Sequence, residues 1–267
     1  MFNGFTIIDA HCHIYPEKIA ARATLGTDTF YGLHSVCKGT AADLLQRGTK
    51  TGIDRFIVQS VATTPEQVQS INRFIAGEVQ NANGRLVGLG TLHPAAKNPE
   101  DDLKHLLALG LHGVKLHPDI QDFKIDDYRC LKVYELCERY GVPILMHTGD
   151  SRFDRSNPNR LLPVMQIYTG LTVVAAHLGG WSVWEKAGEQ LCGLPNLFVD
   201  CSSSFGFLPV ERVKKIILTY GCNRVLFGTD YPMWAPEKEL DLFFKMQLTE
   251  SQNRQILAEN AKRAFGL

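Results

Sequence analysis

Phe5-Thr6-Ile7-Ile8-Asp9-Ala10-His11-Cys12-His13 opens as a short apolar run rich in β-branched residues and closes on two imidazoles. An apolar run of this length reads as a strand, and the same order, apolar body then polar end, recurs along the chain. Eight such runs stand out: Phe5 to Ala10, Arg55 to Val61, Leu86 to Leu92, Gly113 to Leu116, Val142 to Met146, Thr172 to Ala176, Asn196 to Cys201 and Arg224 to Phe227. Between them lie segments with apolar residues at helical spacing, among them Thr64 to Val79, Pro99 to Leu109, Tyr128 to Tyr140 and Pro209 to Tyr220. Strands apolar on both faces imply a parallel sheet covered by helices. Eight strand-helix units predict an α/β fold, a closed (β/α)8 TIM barrel rather than an open doubly wound sheet. No GxGxxG follows the first strand, which speaks against dinucleotide binding. Thr249 to Phe265 predicts a last helix, ended by Gly266. No linker, low-complexity tract or fixed repeat divides the chain, so residues 1–267 are expected to form a single barrel domain. The least regular stretch, Pro16 to Gly39, is expected to cover the barrel mouth as a long loop.

The chain has 267 residues, 45% of them hydrophobic and 21% charged, enough for one large core. Lys plus Arg equals Asp plus Glu at 28 each. That balance gives no electrostatic case for nucleic acid or an anionic membrane surface, and a small-molecule substrate fits better. Met1-Phe2-Asn3-Gly4 is not followed by an apolar leader core, and no run approaches the roughly 18 apolar residues of a membrane span. The expectation is a soluble, cytoplasmic protein, for which homodimerisation would be an ordinary outcome. Seven cysteines without a CxxC pair indicate neither a disulfide framework nor a cysteine zinc site, and reduced core thiols are expected.

Position along the strands separates catalytic from structural candidates, because such barrels build their active sites at the C-terminal strand ends. Strand one ends in His11 and His13, strand four in Lys115 and His117, strand five in His147, strand six in His177 and strand eight in Asp230. His11 and His13, two residues apart on an extended backbone, can reach one divalent ion. His112 opens strand four, His105 lies in a helix, and His34 falls in the loop over the mouth, so all three read as structural. His93 closes strand three, where a structural role is the simpler reading.

These residues resemble the amidohydrolase superfamily, and within it the branch that includes aminocarboxymuconate semialdehyde decarboxylase. The matching motifs are DAHCH, GVKLHPDIQDF, ILMHTGD, VVAAHLGGW and LFGTDYPMW, in that order along the whole chain. The resemblance implies that His11 and His13 bind the metal, that His147 is a further ligand, that His177 is a second-metal ligand or an acid/base, and that Asp230 binds metal or handles the proton. Imidazoles with one carboxylate and an open position suit zinc, which lowers the pKa of bound water to near 7 and polarises a carbonyl. One or two divalent ions per chain fit this pattern. The resemblance leaves Lys115 open, because the decarboxylase branch has no such Lys and uses one metal: a carbamate bridging two ions, as in binuclear members, or an unmodified ammonium that binds a substrate carboxylate.

His117 is placed nearer the mouth than Lys115, as a substrate contact. Arg152, Arg155 and Arg160 suit a bidentate grip on a carboxylate, and a loop with its own ion pairs is the alternative. Trp181, Trp184 and Trp234 follow strands six and eight, with Trp181 the expected pocket wall. Tyr231 and Pro232 shape the last loop, while Asp9 and Asp200 are candidates for orienting a ligating imidazole. The leading reading is a metal-dependent hydrolase that uses a zinc-activated water on a C–N or C–O bond of a small cyclic or carboxylated compound, with Asp230 the preferred proton shuttle and His177 its competitor. A nonoxidative, metal-dependent decarboxylase is the alternative. A non-catalytic binding barrel is the remote third, since it would require missing ligands and none is missing.

Overall fold

Each expected strand forms, and each runs parallel to its neighbours. A computed structural model describes residues 4–267; Met1 to Asn3, part of the stretch in which no leader is expected, lie outside the described residues. The strands are β1 (Ile8–His13), β2 (Arg55–Gln59), β3 (Leu86–Gly88), β4 (Gly90–Thr91), β5 (Val114–Leu116), β6 (Ile144–Met146), β7 (Val173–Ala175), β8 (Leu197–Asp200) and β9 (Val225–Leu226). They pair in the orders β1-β2-β3 and β4 to β9. The third sequence run supplies both β3 and β4. Leu89 N–H bonds back to Val58 O at 2.9 Å and Gly90 N–H forward to Gly113 O at 2.9 Å, so the two pieces form one stave that turns the sheet. Ala10 N–H to Phe227 O at 2.8 Å joins the first stave to the last and closes the TIM barrel.

The helices are α1 (Glu17–Tyr31), α2 (Ala41–Thr51), α3 (Val68–Asn81), α4 (Pro99–Ala108), α5 (Pro118–Gln121), α6 (Tyr128–Tyr140), α7 (Pro158–Ile167), α8 (Trp184–Leu191), α9 (Val210–Tyr220), α10 (Pro236–Phe244), α11 (Glu250–Arg254) and α12 (Asn260–Phe265). The expected last helix is interrupted by a wide π turn over Gln255–Glu259. There the Ile256 carbonyl accepts the Phe227 N–H at 2.9 Å, a bond to the barrel.

The long irregular loop expected over Pro16 to Gly39 is corrected by α1. Pro16 precedes its first turn and Gly32 ends it in the left-handed region at φ 66, the normal punctuation of a helix. Its apolar positions escape a core-based reading because only Ala20 and Thr24 of this helix are buried.

Side-chain alternation divides the core. Ile8, Ala10, Ile57, Leu145, Val174 and Leu226 form an inner cluster, against which α12 packs Ala261, Ala264 and Phe265. A second, larger cluster, including Cys12, Phe56, Val58 and Val114, lies between strands and helices. The seven cysteines are free and six of them are buried. Among the described residues no helix is long and apolar enough to cross a membrane.

Candidate active site

A regular β1 with Ile8 and Ala10 facing inward would turn His11 and His13 outward. The ladder to β2 shifts between Asp9 and Cys12, a bulge that changes the alternation, so Cys12 joins the outer cluster while both imidazoles line a cavity. That cavity, about 700 Å3, opens over the strand ends and also takes in Lys115, His117, His147, His177, Trp181 and Asp230.

Hydrogen bonds set the imidazole tautomers. His11 gives its Nδ1–H to Asp200 Oδ2 at 2.9 Å, which leaves Nε2 bare. That Nε2 lies 3.2 Å from His13 Nε2 and 3.4 Å from Asp230 Oδ1, and His13 Nε2 lies 3.6 Å from the same oxygen. Ser202 Oγ donates to Asp200, so it accepts the His177 Nδ1–H at 2.9 Å. His147 gives its Nε2–H to Gly149 O at 2.9 Å. The bare Nε2 of His177 therefore faces the bare Nδ1 of His147 at 3.1 Å. Lone pairs held this close call for a cation or a shared proton between them.

A tetrahedral ion with bonds of about 2.1 Å sets its donors about 3.4 Å apart. The His11, His13 and Asp230 atoms meet that spacing, so these residues fit a divalent ion, with His147 and His177 beside them. Burial drives His13 and His147 well below the usual imidazole range and lowers His177 to about 4, so their neutral, ligand-competent forms prevail at pH 7. Burial pushes Asp230 up, but the His11 imidazole and the other histidines facing it outweigh that and hold the carboxylate ionised. Lys115 Nζ stands 3.0 Å from His11 Nε2, and its burial lowers the ammonium to about 8. His177, Ser203 and Asp230 all have positive φ, at 59, 51 and 60, a concentration of backbone strain common at functional sites.

Arg152, Arg155 and Arg160, all three offered for a carboxylate grip, are not among the residues that line the cavity. Arg152 pairs with Asp150 at 2.7 Å and its guanidinium sits over Phe30, Tyr31, Phe153 and Trp181 at 5.1 to 5.7 Å, fastening α1 to the loop after β6. Arg155 pairs with Asp122, and Arg160 pairs with Asp126 and Asp154. Asp200 orients His11 as expected. Asp9 does not reach an imidazole; it accepts the His11 and Thr229 backbone N–H groups at 3.2 and 3.0 Å and ties β1 to the last loop. Trp234 donates to Ser203 Oγ at 2.9 Å, and Ser203 donates to Asp230 Oδ2 at 2.6 Å. Tyr231 anchors its loop by donating to Asp43 Oδ2 at 2.9 Å.

Sequence reasoning missed Tyr31, Asp119, Ser202 and Ser203. Tyr31 lay in the supposed loop and carried no signal. Asp119 follows directly on the Lys115–His117 motif; its Oδ1 is buried without a partner among the described residues and burial raises its carboxyl to about 6.

The amidohydrolase family pattern matches residues 8–267. The chain belongs to the amidohydrolase family. It is 22% identical over 320 aligned positions to 2-amino-3-carboxymuconate-6-semialdehyde decarboxylase of Dictyostelium discoideum, covering 100% of this chain and 86% of that one. An uncharacterised TIM-barrel protein of Bordetella bronchiseptica superposes with a TM-score of 0.82 at 21% identity, covering 98% of this chain and 99% of that one. A dihydroxybenzoic acid decarboxylase of Polaromonas sp. JS666, solved with manganese and 2-nitroresorcinol, superposes with a TM-score of 0.74 at 17% identity, covering 98% and 97%. The chain is thus an enzyme of the amidohydrolase superfamily, a metal-dependent group, with His and Asp clusters suited to a metal.

Proposed function

We propose that this amidohydrolase-family member is a metal-dependent carboxy-lyase that removes CO2 from a small organic acid without an oxidant. The observation that carries the reading is the His11–His13–Asp230 donor triangle, spaced for one ion, in a chain aligned over its full length with a decarboxylase. The hydrolytic reading favoured on sequence rests on the superfamily alone, whereas the manganese-bound decarboxylase neighbour also supports the lyase.

A divalent ion bound here would draw electron density from the carbon that loses CO2. His11, His13 and Asp230 would hold it, Asp200 orients His11, and the bare Nδ1 of His147 would either add a further nitrogen or share the proton on His177. Lys115 supplies the positive charge that a substrate carboxylate needs in a buried site. The C–C bond breaks with its electron pair left on the substrate carbon, and a proton replaces the departing CO2. His177 Nε2, facing His147 Nδ1, is placed to hold that proton and deliver it, with Asp230 as the alternative shuttle. Trp181 and His117 wall the substrate. The residues suit zinc or manganese.

Protein loaded with zinc or manganese and offered a panel of aromatic and unsaturated carboxylates, lactones and amides decides between the lyase and the hydrolase. CO2 release from the acids is expected. Hydrolysis of a lactone or amide without CO2 release would return the chain to the hydrolytic reading.

A further inference from the structure

The cavity continues well past the donor cluster. It runs from Lys115 and His13 over the end of β2 and between α1 and α3, where Ile19, Phe30, Leu33, Ile71, Phe74 and Ile120 line it. α1 buries no large apolar side chain; Ile19, Ala23, Thr27 and Phe30, spaced on one helical face, look into this space instead. Several polar groups along the same wall bond within it. Gln67 Oε1 accepts from the Thr63 N–H at 2.8 Å and its hydroxyl at 3.0 Å, Ser70 Oγ donates to Gln67 O at 2.9 Å, and Ser35 Oγ donates to Asp28 at 2.6 Å. Among the described residues no arginine lines the cavity, and its lysines are Lys115 at the donor cluster and Lys18 on the exposed side of α1.

We propose that the acid handled by this site carries a single carboxylate and an extended apolar substituent, the head held at Lys115 and the donor cluster and the tail lying between α1 and α3. The inference rests on the carboxy-lyase reading for the head and on the apolar wall for the tail. A second carboxylate reaching the tail region would lose its hydration beside Ile71 and Phe74 with no guanidinium to pair it, which is costly. An alkyl or aryl tail gains from every methylene it removes from water, in a cavity of about 700 Å3, far more space than a one-ring acid fills.

Affinity and turnover are measured separately on metal-loaded protein with 4-alkyl-2-hydroxybenzoates from methyl to hexyl, whose ortho hydroxyl lets the ring take up the electron pair left by CO2, and with 2-hydroxyterephthalate as the dicarboxylate. Binding is read by calorimetry and turnover by CO2 release. Affinity is expected to tighten about threefold to fourfold per methylene, with 2-hydroxyterephthalate at least about tenfold weaker than 4-methyl-2-hydroxybenzoate. In Ile71→Trp, which fills the tail region, the dependence on chain length flattens. Thr63→Trp, at an exposed position of the same wall, gives the same flattening if Ile71→Trp fails to fold. A chain-length trend without CO2 release from any acid would keep the tail assignment and overturn the carboxy-lyase reading. CO2 release with no chain-length trend, or with 2-hydroxyterephthalate bound as tightly as the alkyl acids, would overturn the tail assignment and keep the lyase.

Discussion

His117 donates its Nε2–H to the Tyr31 hydroxyl oxygen across 2.7 Å, because its Nδ1 is already accepting the Ile120 N–H at 3.3 Å. The phenol therefore keeps its own proton for another acceptor, and Tyr31 lines the cavity. Burial raises Tyr31 well above the ordinary phenol range, so the O–H persists through neutral pH. A hydrogen bond from this hydroxyl to a charged substrate oxygen is worth about 1.5–3 kcal/mol. Tyr31→Phe should accordingly lower kcat/KM for CO2 release roughly tenfold to a hundredfold, with metal content unchanged. An unaltered kcat/KM would remove Tyr31 from substrate contact.

The donor triangle predicts about one divalent ion per chain, measured by plasma mass spectrometry on protein purified without chelator. Asp230→Asn and His11→Ala should each lose it. Asp200→Asn leaves every direct donor in place but removes the partner that fixes the His11 tautomer, and should weaken metal affinity roughly tenfold to a hundredfold. Two ions per chain would instead point to Lys115 as a bridging carbamate.

Proton delivery separates His177 from Asp230. His177→Asn should cut turnover by roughly two to four decades while the ion is retained, whereas Asp230→Asn should lose ion and turnover together. Full activity in His177→Asn would pass the proton step to Asp230.

The barrel was legible because apolar runs ending in polar residues are a direct print of parallel strands that present side chains at one rim. The strand ends His147, His177 and Asp230 could be named for the same reason. What the sequence hid depends on contacts between distant segments. The bulge in β1 that turns His11 and His13 inward while leaving Ala10 inside is a register relation with β2. For the arginines the alternative of a loop with its own ion pairs holds: Asp150 lies only two residues from Arg152, but Asp122, which pairs with Arg155, and the aromatic rings under Arg152 come together only in three dimensions. α1 was hidden because its apolar face borders a cavity instead of a core, so Tyr31 could not be placed at all.

Glu239, on α10, is 1% exposed and neither carboxyl oxygen has a hydrogen-bond partner among the described residues. Burial, reinforced by the Asp9 carboxylate and to a smaller extent by Asp230 and opposed by the Lys238 ammonium, raises it from 4.5 to about 8. Below 4.5 the folded and unfolded chains both carry the proton, and the group adds no pH dependence. Between 4.5 and about 8 the unfolded chain releases its proton while the folded chain keeps it, so stability falls as pH rises through this window. The loss is on the order of 4 kcal/mol by pH 8. Glu239→Gln is neutral at every pH and nearly the same shape. Urea denaturation at pH 5 and pH 8 should show it more stable than the parent at pH 8, with its own stability varying less between the two. A parent protein no less stable at pH 8 than at pH 5, with Glu239→Gln bringing no gain at pH 8, would mean that the carboxylate is paired in the folded chain.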